Sequence, residues 1–462
     1  MWRNDGFFRF VPLSLTTLFS TLLLFSIHKL IIYFSTHPKI LFTLRYFNNV
    51  KTKPRKFVSV DESICIKCRG TKLLCGKPRC PVLVRYYKNL EVKPLIEKKV
   101  LFGSSPPSLF IGRMGYPKVY AGPMLPPIEG DTSYMDTPEL WHNISIDDLV
   151  AFRMKLVRGK YRIDVSNMKG KIVSYLQEIA MAAKPVDMEV EFEKKPKGVI
   201  TLYDEVQPHG PSAPIKKIWV ENPKVDARIE KAAYDEMKAR DAVLWLYRQG
   251  AFISSIQKAF SAGLFGIKPK MVPTRWSITA VDDTIGKKLV EEIKNNPWLN
   301  EYRIYYTKSM DNLWVIFMYP SSWQYELIEA WYPNTTWNPL GKKIVMFGDH
   351  EYYNGRNSYA TIGGCYYAAR LAVAEKLKKE GRQAGAVVMR EIHPGYIMPV
   401  GVWNVRENVR KALKGEAKKF DDVREAMLFV SSLLHIPIKR WIETSSLLKN
   451  VLYQRRLEDF VK

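Results

Sequence analysis

Cysteine is scarce in this chain. There are five in 462 residues, and four of them fall in one short stretch. So thin a supply excludes a disulfide-framed secreted scaffold. Glutamine is also rare, with seven residues, in keeping with a Lys-rich, thermophile-like composition. Acidic residues are outnumbered, 46 against 71 Lys+Arg, which leaves a formal charge of +25. After residue 34 no further apolar run is long enough to span a bilayer, so a polytopic membrane protein is excluded. What remains is a globular composition, 47% hydrophobic and 13% aromatic, with length for two or three domains.

The stretch that holds the four cysteines is Cys65-Ile66-Lys67-Cys68 through Leu74-Cys75-Gly76 to Cys80, a C-x2-C-x6-C-x4-C spacing. Four soft anionic thiolates satisfy both the charge and the tetrahedral geometry of one Zn2+ ion. Gly70 and Gly76 permit the turns that fold both halves onto it. Two disulfides, or an iron–sulfur cluster, are the alternatives for the same residues. With all four thiolates occupied, such a zinc site is structural rather than catalytic. The charge gathers here: residues 51–100 hold 14 Lys+Arg against 4 Asp+Glu, a surplus of 10. Lys67, Arg69, Lys72, Lys77 and Arg79 are therefore candidate contacts to a nucleic-acid backbone. The bland alternative is a solvated, generally basic surface.

Residues 1–50 do not match the rest. Phe10 to Ile27 carries no charge, and the apolar character resumes at Leu30-Ile31-Ile32-Tyr33-Phe34. This is long enough for a membrane anchor, yet no small-residue cleavage site follows. No Met lies between Met1 and Met114. The expectation is an upstream extension wrongly included in the reading frame, with Val50 as a candidate start; a real anchor is the alternative.

Patterning places the remaining elements. Ser145 caps a helix over about 146–158, and Met188 to Glu193 alternates as a half-buried strand with 198–206 as its hairpin partner. An amphipathic helix over about 226–248 ends at Gly250. A helix from about Thr279 to Asn295 has Asp282 and Asp283 at its positive end, as caps or as metal ligands. Arg275 with Trp276 is suited to clamping a nucleotide. Strands at 302–306 and 313–318 turn at Asp311-Asn312, with further strands at 323–330 and 343–347. A long helix over about 359–379 follows His350 and Arg356, a glycine-rich entry that suits a phosphate but carries no Walker or dinucleotide fingerprint. The strand 386–389 leads to Glu391 and His393, a pair suited to acid–base work or to a purely structural role. These elements make an α+β (mixed α/β) chain: a small structural zinc knuckle, two mixed domains and a short C-terminal peptide.

The knuckle with Leu74-Cys75-Gly76 and Cys80-Pro81, the Ser105-Pro106-Pro107 loop and Gly112-Arg113-Met114-Gly115-Tyr116-Pro117 resemble the Nre family of archaeal DNA repair proteins. So do Val272–Thr284, Tyr366-Tyr367-Ala368-Ala369-Arg370-Leu371-Ala372 and Gly401-Val402-Trp403-Asn404-Val405-Arg406-Glu407. The resemblance runs from about Cys65 to the C-terminus. It implies a role in the DNA-damage response and recruitment by the archaeal sliding clamp PCNA. The location expected is cytoplasmic and nucleoid-associated, with membrane anchoring only if the N-terminal extension is real. The domains expected are 1–50 (extension), 51–95 (knuckle), 96–300 and 301–440 (N- and C-terminal Nre domains) and 441–462 (tail). In that tail Gln454, Leu457, Phe460 and Val461 fit Q-x-x-h-x-x-aromatic, a one-turn peptide that plugs an apolar groove. The competing reading is an enzyme acting on DNA or a nucleotide, a nuclease or nucleotide-dependent transferase. Its site would lie around Arg275, Asp282 and Asp283, or around His350, Arg356, Glu391 and His393.

Overall fold

The computed structural model describes residues 62–141, 143–198, 207–221 and 223–453. The apolar run of residues 10–34, the proposed hairpin partner at 198–206 (save its first residue) and the peptide from Gln454 to Val461 lie outside them. Nearly all the described chain belongs to one compact unit, Val58–Arg356 with Ala360–Lys462. The class is α+β: helices pack on two separate six-stranded mixed sheets.

The first sheet contains β1 (Val100–Ser105), β2 (Leu109–Ile111), β3 (Lys118–Leu125), β4 (Val157–Asp164), β5 (Val186–Phe192) and β6 (Ser212–Val220), in the order β1-β5-β6-β4-β3-β2. β5 buries every second residue, as its alternation requires. Its ladder partners are β1 and β6, both antiparallel. Ser145 caps the helix Ile146–Lys155 in a full capping box with Asp148, whose amide donates to Ser145 Oγ at 3.1 Å. That helix stops short of 158 because Val157 and Arg158 already belong to β4. In place of one helix over 226–248 there are two, Ala227–Tyr234 and Ala239–Arg248; Asp235 turns extended (ψ 142°) and breaks the run. Gly250 (φ +73°) closes the second with a Schellman pair: its amide reaches Tyr247 O, and that of Ala251 reaches Leu246 O.

The second sheet contains β7 (Tyr302–Ser309), β8 (Asn312–Tyr319), β9 (Gln324–Trp331), β10 (Val345–Glu351), β11 (Gly385–Ile392) and β12 (Lys418–Phe420), ordered β10-β9-β11-β8-β7-β12. β7 and β8 form a two-residue hairpin. Its turn residues are Met310 and Asp311, both at positive φ, one position earlier than the sequence implied. β11 runs parallel to β9 and antiparallel to β8, and both β8 and β11 are buried along their whole length. One face carries the core of Ile304, Val315, Phe317, Val387, Met389 and Trp441, covered by Val423–Leu433 and the helices after it. Gly364–Glu380 and Trp403–Lys414 also pack on this sheet. The helix expected from about 359 begins at Gly364, since Gly363 takes φ +72°, ψ −145°, a conformation closed to other residues. The buried β9 carboxylate Glu326 caps the last described helix, accepting from the amides of Ser446 (2.9 Å) and Leu447 (3.0 Å).

Candidate functional site

The cysteine stretch folds as a helix (Glu62–Cys68), a turn and a second helix (Pro81–Val92) entered through Cys80. Arg69, Gly70, Leu73 and Gly76 all take positive φ, so the turn doubles back twice within eight residues. All four cysteines are free thiols, and Cys68 is buried. Burial alone would push the Cys68 thiol up. The amides of Leu74, Gly70, Lys72 and Leu73 outweigh it and bring the thiol below its ordinary value. The amides thus favour the thiolate form of Cys68, but among the described residues no three of the four sulfurs are gathered within ligand distance of one another.

The five basic residues around it divide by environment. Lys67, Arg69 and Lys72 are exposed. Arg79 is half-exposed but paired with Asp147 at 2.7 Å. Lys77 does not belong to a phosphate-facing surface: it is 3% exposed and donates to the carbonyl of Asn334 at 3.1 Å. The adjacent Gly76 sits so close to Asn334 that a Cβ there would lie 2.3 Å from its side-chain nitrogen. This corner of the knuckle is a docking contact to the body.

Asp282 and Asp283 are not at a helix start. The helix runs Thr274–Ile293, with Pro273 ahead of its first turn, so both lie in its middle. Asp282 is fully buried and accepts two bonds from Arg406 Nη1 (2.9 and 3.1 Å) and one from Gln257 (2.9 Å). Burial raises its carboxyl, and Arg406 and Arg410 oppose that rise. Asp283 accepts from Arg370 (2.5 Å) and Lys287 (2.7 Å), and Arg370 also reaches Glu351 at 3.0 Å. Both aspartates are thus clamped by guanidinium groups that join this helix to Gly364–Glu380 and Trp403–Lys414. Arg275 is exposed at the first turn, while Trp276 packs on Tyr116 with centroids 5.1 Å apart.

Arg356 is likewise committed. It forms a two-armed pair with Asp349 and donates to the His350 carbonyl at 2.6 Å, while the His350 ring lies edge-on to Tyr352. This bracing of the β10 exit replaces the phosphate role suggested by the glycines.

Glu391 and His393 do come together, and with them a residue that the sequence reading missed, His435. Glu391, on β11, is 0% exposed. Its Oε1 accepts the amides of His435 and Ile436, both at 3.0 Å, and its Oε2 lies 2.9 Å from His435 Nδ1 and 3.3 Å from His393 Nε2. Burial would raise the Glu391 carboxyl; His393, the Ile436 amide and His435 outweigh it and keep it below the ordinary range. The sequence signal was present but faint: His435 is one of only seven histidines. Arg370 and Arg406 were within recognised motifs, though their carboxylate partners were not foreseeable.

Among the described residues no helix is long and apolar enough to cross a membrane. The family model "Archaeal Nre, N-terminal" matches residues 74–338, and "Archaeal Nre, C-terminal" matches 351–460. DNA repair protein NreB of Archaeoglobus fulgidus is 44% identical over 400 residues, covering 86% of this chain and 100% of that one. DNA repair protein NreA of the same organism is 38% identical over 382 residues (82% and 95%), and NreA of Haloferax volcanii 34% over 353 residues (73% and 84%). No solved structure matches the chain. With both family models matched in order and relatives aligned over nearly their whole length, the chain belongs to the archaeal Nre family.

Proposed function

We propose that this chain is a DNA repair protein that binds the nucleic-acid backbone through a zinc-stabilised basic knuckle and is brought to its substrate by a sliding clamp. Its relatives bear the name DNA repair protein. The observation that carries the DNA-binding part is the exposed trio Lys67, Arg69 and Lys72, set on and beside the turn that cradles Cys68. Zinc held by Cys65, Cys68, Cys75 and Cys80 would fix that turn and so the spacing of the three cations. Clamp binding rests on the terminal Gln454-x-x-Leu457-x-x-Phe460-Val461 pattern, in which Leu457 and Phe460 would fill the apolar groove and Gln454 its polar corner. Val461 stands where a second aromatic would strengthen the contact.

Isothermal titration of the full chain against an archaeal sliding clamp tests the recruitment half. Each buried anchor is worth about 1.5–3 kcal/mol, and a micromolar peptide complex has only about −8 kcal/mol in all. Leu457→Ala with Phe460→Ala should therefore remove detectable binding while leaving the thermal melt unchanged. Wild-type affinity in the double variant would remove the peptide from the proposal.

A further inference from the structure

We infer that Glu391, His393 and His435 form a binding site for a divalent transition-metal ion of the zinc, cobalt or nickel kind. The three donor atoms lie within 4.8 Å of one another. Two zinc ligands at about 2.0–2.1 Å in a tetrahedral shell sit about 3.3 Å apart, and His393 Nε2 is 3.3 Å from Glu391 Oε2. Yet His393 Nε2, cut off from solvent, makes no hydrogen bond to that oxygen or to anything else described. The two atoms are close enough for an ion pair but do not meet the geometry of a hydrogen bond. That is how two ligands stand around a shared centre, and it is a poor arrangement for a donor and an acceptor.

The surroundings do what an outer shell does. The amides of His435 and Ile436 both occupy Glu391 Oε1, which fixes the carboxylate plane and leaves Oε2 to face the two imidazoles. Tyr332 stacks on the His393 ring at 4.3 Å, holding its plane, and the two histidine rings stand at 80° to each other. Access is on one side: Glu391 is closed to solvent, His393 is mostly covered, and the His435 side chain is 52% exposed. Two imidazoles and one carboxylate select zinc-class ions over calcium or magnesium. The open flank beside His435 leaves room for water or an added ligand as the fourth donor. This site has no cysteine and stands whether or not the knuckle holds zinc.

Cobalt titration of the full chain, followed by absorption and by thermal melting, separates the two. Cobalt on thiolates gives an intense near-ultraviolet charge-transfer band, which a His2Glu site lacks. The expectation is one Co2+ bound without that band, accompanied by a rise in Tm. His435→Ala should weaken this binding by at least about tenfold and abolish the rise. Glu391→Gln, which keeps an oxygen for the two amides, should also weaken it by at least tenfold. The inference is overturned if no cobalt binds apart from the thiolate signal, or if both variants bind as the wild type does.

Discussion

The knuckle's division into exposed and committed cations gives a quantitative test. Replacing Lys67, Arg69 and Lys72 together by Ala should lower the slope of log K against log salt by about 2.7, at about 0.9 per phosphate contact on duplex DNA. Over a fourfold change, from about 50 to 200 mM salt, the wild type should lose about 40-fold more affinity than the triple variant. Arg79→Ala should shift the slope by less than about one contact, since Asp147 already holds the guanidinium. Lys77→Ala should leave the slope unchanged and appear instead in stability, by about 1.5–3 kcal/mol for a lost charged hydrogen bond. Fluorescence anisotropy of a labelled duplex at four or so salt concentrations, with a urea melt of each variant, reads both quantities. An unchanged slope in the triple variant, or a full contact's loss in Lys77→Ala, would refute the assignment.

Two further outcomes are expected, one from the cysteine spacing and one from the buried ion pairs. The four cysteines should hold about one zinc per chain in purified protein, and Cys75→Ser should lose that ion and locally unfold residues 65–80, structural zinc being worth on the order of 10 kcal/mol; metal analysis and proteolysis check this, and iron with labile sulfide would contradict it. Arg406→Met strands the buried Asp282 carboxylate and should cost about 3–5 kcal/mol in urea melts. Adding Asp282→Leu should restore much of that loss, and strict additivity of the two changes would contradict the pairing.

Where local chemistry decides conformation, the sequence was sufficient. Ser145 with Asp148 makes a capping box, Gly250 ends a helix, and β7 and β8 meet in a tight hairpin, each within a few residues of its signal. Side-chain commitments across the chain were not legible. Asp282 and Asp283 look like caps when Thr279 is taken as a helix start. The preceding Pro273 was the better signal, and their partners Arg406 and Arg370 stand 124 and 87 residues away. A lysine count around the cysteines cannot distinguish Lys72, which is exposed, from Lys77, which is buried. The composition gave no way to join His435 to Glu391, 44 residues earlier.

The contact between Lys77 and Asn334 also has a temporal side. The two residues are 257 positions apart, so during synthesis the knuckle emerges long before its seat exists. At about 5–20 residues per second that delay is roughly 13–50 s. The pair Arg79–Asp147 and the packing of Pro81–Val92 on Ile146–Lys155 become available much sooner, but the carbonyl that receives Lys77 is absent throughout that delay. The Lys77 tie between the knuckle and the body can thus close only when the loop at Asn334 arrives.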